Sequence, residues 1–255
     1  MNSLYDLPSV DLTPSIVVST NESIWPSAVG AFLGAFSAFV FGLITFYFQK
    51  KMERFWKHKS AVVEIEHILQ DNLDQNSANQ FLLKGAIETL TRNHLTYTLL
   101  TQLRLSDDIN LRIGDLEVLN KYFDYKNPVL KINHGMETWQ GMNTQLQQAI
   151  TANFNLPAPV VHKNLNHLRD QAQSLLKFMV SLDKDTEYLL AYVKVYMRKE
   201  RHIWTRGVHK LINKNIQFVT KSEIDAEIKL LKSEIAKISQ ESKERIEEIM
   251  NGQIL

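Results

Sequence analysis

Glu64 and His67 form the one pair in this chain whose spacing suggests metal chemistry. Three residues apart on a helix, they put a carboxylate and an imidazole on one face, as half of a di-iron or di-manganese site would. Such a site needs a second Glu-x-x-His and two more glutamates on facing helices, and the sequence holds a single copy of the motif. A solvated helix face is therefore the expectation for Glu64 and His67. His162 and His167 stand five apart and do not align on a helix; His202 and His209 align over two turns without an acidic neighbour. No glycine-rich dinucleotide or phosphate loop, nucleophile elbow or His-Glu-x-x-His occurs. With no cysteine in 255 residues, thiolate catalysis, disulfides and Cys-based zinc or iron-sulfur centres are excluded. No catalytic residue, cofactor or metal site is expected, and the chain reads as a non-enzyme.

The remaining chemistry is charge. Lys50, Lys51, Arg54, Lys57 and Lys59 against Glu53 give a net +4 over residues 49–59, with Phe55 and Trp56 interleaved. A second patch, Arg198, Lys199, Arg201, Arg206, Lys210 and Lys214 against Glu200, gives +5 and carries Ile203 and Trp204. Beside an anionic lipid surface each such cation contributes about 1 kcal/mol. The plainer account of the second patch is cations placed favourably at a helix C-terminus. The chain as a whole carries +1, and residues 61–255 are neutral. That balance gives no general attraction to nucleic acid, which is not an expected partner.

The element that positions the first patch is a run of twenty-five residues, 24–48, without a charge. A helix needs roughly twenty apolar residues to cross the hydrocarbon of a bilayer, so this run is long enough. Asp6, Asp11 and Glu22 precede it with no Lys or Arg, and the +4 segment follows. Basic residues stay on the cytoplasmic side during insertion, which places the N-terminus outside and the bulk of the chain in the cytoplasm. Trp25 at one end, and Tyr47 and Trp56 at the other, suit the interfacial aromatic belts. A cleaved signal peptide fits less well, since the basic leading segment is missing and the apolar run is too long.

Within the span Gly30, Gly34, Ala38 and Gly42 recur every four residues, and Ser27, Ala31 and Ala35 run beside them. At 100° per residue these small side chains share an arc of about 160°. Membrane helices associate through close backbone approach, which such a ribbon permits, so the expected assembly is a homo-oligomer packed on this face.

Beyond the span the pattern is helical throughout. The membrane helix is expected to continue through Ile65, Leu69 and Leu73 and to end in the polar stretch 71–77. A second helical region follows over about 80–105, in which 96–103 could be extended, and a short helix over 113–125. Asn127-Pro128 reads as the start of an amphipathic helix ending near Asn155, where Leu156-Pro157-Ala158-Pro159 interrupts. Leu165, Leu168, Ala172, Leu175, Met179, Leu182, Thr186, Leu189, Val193 and Tyr196 then alternate by three and four, the signature of a long bundle helix. Thr220 and Glu223 form a capping box ahead of a narrow seam, Ile224, Ile228, Leu231, Ile235 and Ile238.

These readings give an all-α chain in five stretches. They are a short extracytoplasmic tail (1–23), a transmembrane helix (24–48), a basic juxtamembrane segment (49–60), a cytoplasmic antiparallel helical bundle (61–219) and a coiled-coil-like helix (220–255). The expected partners are membrane lipid, further copies of the chain and a cytoplasmic protein. The expected role is self-association with partner binding or signal sensing at the cytoplasmic membrane surface. The competing role is an oligomeric, membrane-perturbing effector of the defence or toxin kind, gated by its cytoplasmic domain.

Overall fold

The computed structural model describes residues 24–152, 157–200 and 218–250. Among these, five helices form: α1 (Ile24–Thr91), α2 (Ile109–Arg112), α3 (Leu116–Ala152), α4 (Ala158–Lys199) and α5 (Lys221–Met250). The chain divides into two compact units, residues 1–50 and 51–255. The boundary falls at the start of the basic segment, within α1.

In the first unit α1 is apolar and exposed. Phe32, Leu33, Phe36, Phe41 and Leu43 all face outward, and α1 is the one described helix long and apolar enough to cross a membrane.

The second unit is held by helical seams of alternating three- and four-residue spacing. In α1 the buried series runs His58, Val62, Ile65, Leu69, Asn72, Asn76, Asn79, Leu83, Ala86 and Leu90. The helix does not end in the polar stretch 71–77. Asn72, Asn76 and Asn79 fall on the core-facing positions of one continuous heptad pattern, so periodicity overrides their weak helix propensity. α1 stops instead at Asn93, whose φ of 60° is left-handed. The Asn93 and His94 N–H groups bond back to the carbonyls of Leu90 (3.0 Å) and Thr89 (3.1 Å). This Schellman-type turn satisfies the last carbonyls, and Asn tolerates its φ.

Residues 94–106 contain no helix, so the expected second helix is confined to the end of α1. In α3 the buried series is Val118, Tyr122, Tyr125, Val129, Ile132, Met136, Trp139, Asn143 and Leu146. Pro128 lies inside α3 rather than at its start. The helices expected over 113–125 and from 128 onward are one, because the seam keeps its register across the proline and the packing outweighs one lost backbone bond. All ten expected stripe residues of α4 are buried. α4 begins at Ala158 after Pro157, with Pro159 in its first turn, where a missing N–H costs nothing.

α3 and α4 run antiparallel. Lys121 lies over the Tyr188 and Tyr192 rings, Gly135 stands against Leu175, and the Trp139 indole N–H donates to the Leu168 carbonyl at 3.0 Å. α5 packs on α4 through buried Ile224 and Leu231, with Lys232 and Glu187 paired at 3.1 Å. Its first half is thus part of the helical domain. The seam becomes exposed at Ile235, and the side chain of Ile238 lies outside the described residues.

Candidate functional site

The most elaborate polar arrangement is a cleft between α1 and α3 that holds residues 96–104 by their backbone. Asn79 takes both polar groups of Thr101, accepting from its N–H at 2.9 Å and donating to its carbonyl at 2.7 Å. Asn133 does the same to Leu103, both at 2.9 Å. Asn72 does it to Arg104, at 2.7 and 2.9 Å, and also donates to the Tyr125 hydroxyl at 3.0 Å. Gln140 donates to the Leu100 carbonyl at 2.8 Å, and Asn143 to that of Thr96 at 2.9 Å, joined there by Gln147.

A primary amide carries the donor and acceptor of a peptide group, so each asparagine replaces the neighbouring strand that an extended chain would otherwise need. Both helices contribute, so the segment is clamped from two sides. Thr96, Leu100 and Leu103 are buried, whereas Tyr97 and Leu99 are exposed. Asn76, the third buried amide of α1, turns to α4, donating to the Met179 carbonyl (2.8 Å) and to Asp183 (2.6 Å). Gln80 reaches the other oxygen of that carboxylate at 2.6 Å. None of these amide side chains was expected from the sequence to hold backbone. The signal was there in the heptad positions of Asn72, Asn76, Asn79 and Asn143, but the chemistry that rewards it involves residues far along the chain.

A second cluster centres on His58. Its Nδ1 accepts the Gly114 N–H at 3.2 Å, so the ring carries its proton on Nε2, which faces the Tyr196 hydroxyl (2.9 Å) and Glu200 (3.1 Å). The Tyr196 hydroxyl also reaches Asp115 at 3.4 Å. Reading 49–60 as one exposed basic segment misses this histidine, which is 7 % exposed and bridges three elements.

The basic residues around it are exposed apart from Lys51. Lys57 pairs with Glu53 at 2.6 Å, Lys59 lies over Trp56, and Lys50 over Phe46. Arg54 and Trp56 are exposed and Lys51 is half-buried. At the other end of the apolar run Trp25 is 77 % exposed. The small-residue ribbon is open, since a Cβ placed on Gly30, Gly34 or Gly42 would meet nothing within 4 Å, and Ala38 is exposed.

The second basic patch divides. Arg201, Trp204, Arg206, Lys210 and Lys214 lie outside the described residues. Arg198 and Lys199 hold α5, Arg198 through Glu227 (2.9 Å) and Lys199 through Glu223 (2.8 Å) and the Phe218 carbonyl (2.6 Å). Burial opposes ionisation of Glu223, yet the Lys199 ammonium and the Thr220 N–H and hydroxyl prevail and bring its pKa down to about 2. Glu64 does not face a metal partner. Its carboxylate pairs with Arg112 at 2.5 Å, whose hydrogen bond lowers its pKa, while His67 is exposed.

Along the outer side of α3 and α4 runs a groove of about 830 Å³. Ile132, Trp139, Leu175 and Leu182 lie along its floor, and Lys131, His134, Asp170 and Asp185 are among the residues on its walls. No protein-family model, curated protein or solved structure matches the chain.

Proposed function

We propose that this chain is a single-pass membrane protein with its N-terminus outside. A non-enzymatic helical domain on the cytoplasmic side associates with further copies of the chain and binds a protein partner or senses a signal there. The observation that carries this reading is the uncharged helix 24–48 with its apolar side chains turned outward, bounded by acidic residues before and the +4 segment after. In water that many exposed aromatic and aliphatic groups would be strongly unfavourable; in hydrocarbon they are at home. The role of the domain is supported by its bonding pattern. Buried amides are spent on backbone groups and His58 on a buried polar cluster, an arrangement suited to holding a surface rigid.

Two measurements test the topology. The full-length chain is expected to stay in the pellet after carbonate washing, and a tag at its C-terminus is expected to be reached only after the cells are permeabilised. Recovery of the chain in the soluble fraction, or labelling of that tag on intact cells, would overturn the proposal.

A further inference from the structure

The groove between α3 and α4 has two unlike walls. The α3 wall carries Lys131 and His134, and at Gly135 it has no side chain at all. The α4 wall carries Asp170, Asp185 and the ring of Phe178, which is 66 % exposed, with His167 further along. Asp170 meets its neighbour Arg169 at 3.2 Å. Lys131 and Asp185 are exposed and have no ion-pair partner among the described residues. Because α3 and α4 are antiparallel, Lys131 and Asp185 lie toward the same end of the groove, where Pro128 and Leu182 also line it.

We propose that this groove is the contact surface for a second copy of the chain, related by a two-fold axis running along the groove. This rests on the self-association proposed above and locates a contact outside the span. An axis along the groove sets α3 of one copy on α4 of the other. Each Lys131 then faces an Asp185, twice over by symmetry, and each exposed Phe178 ring is covered by the α3 wall of the opposite copy. An axis across the groove would set α3 on α3 and reverse it, which carries Lys131 away from Asp185 and loses that pairing.

The test uses the full-length protein in detergent, with Gly34→Leu present so that the span ribbon does not contribute. Sedimentation over a range of concentration is expected to show a dimer. Lys131→Glu or Asp185→Lys alone is expected to raise its dissociation constant about tenfold, and the two together to restore it to within about threefold, the pattern of a direct charge pair. Phe178→Ala should weaken the dimer at least as much as either single reversal. All three positions are exposed, and an unchanged helical circular dichroism signal establishes that each variant is folded.

If the parent chain associates but the Gly34→Leu form is monomeric, the groove proposal falls and association through the span survives. If no form associates, both fall. A dimer indifferent to the single reversals, or single defects that the double reversal does not repair, also overturns the groove. So does a groove whose variants alter capture of another protein while leaving the dimer intact.

Discussion

Asn79 shows how much one residue can decide. It is fully buried, sits on a core position of α1, and supplies both hydrogen bonds that Thr101 would otherwise seek from a neighbouring strand. Leucine would fit the heptad pattern better and, by propensity alone, should stabilise the helix. The expected outcome is the opposite. Asn79→Leu strands a donor and an acceptor at about 1–3 kcal/mol each, so urea denaturation should show a loss of about 2–6 kcal/mol. A neutral or stabilising result would mean that the Thr101 N–H and carbonyl find water in place of the amide.

Among the elements, α5 carries a carboxylate whose ionisation ties it to α4. Glu223 binds Lys199 at 2.8 Å and accepts the Thr220 N–H at 2.9 Å, closing the capping box while tying the helix to the end of α4. Its pKa falls from 4.5 to about 2 in the folded chain, so the stabilisation it provides is complete above pH 4.5 and is lost as pH drops toward 2. Amide exchange in the first turns of α5 is expected to accelerate across that interval, and Glu223→Gln to remove that part of the pH dependence. Equal acceleration in the Gln variant would assign the effect to other carboxylates. The capping box was legible in the sequence because it is local. The attachment of α5 was not, since Lys199 and Glu227 gain their roles only when α4 and α5 are side by side. Pro128 teaches the same lesson: its local preference is for a helix start, yet it sits inside α3.

For the whole molecule, the proposed self-association turns on the apolar helix. The ribbon of Gly30, Gly34, Ala38 and Gly42 is open along its length. Gly34→Leu is expected to weaken self-association of the full chain at least about tenfold by preventing close backbone approach, while Phe36→Leu on the other face leaves it unchanged. Equal effects from both, measured by sedimentation in detergent, would refute packing through the ribbon. The sequence by itself determined the all-helical class, the apolar helix with its charged flanks and the α4 stripe, because each depends on periodicity or composition within a single segment. The tertiary structure decided the rest: that α1 runs through its asparagines to Thr91, that residues 94–106 are held outside any helix by side-chain amides, and that His58 is buried. These outcomes follow from polar groups satisfied by partners far apart in the chain, which no local pattern encodes.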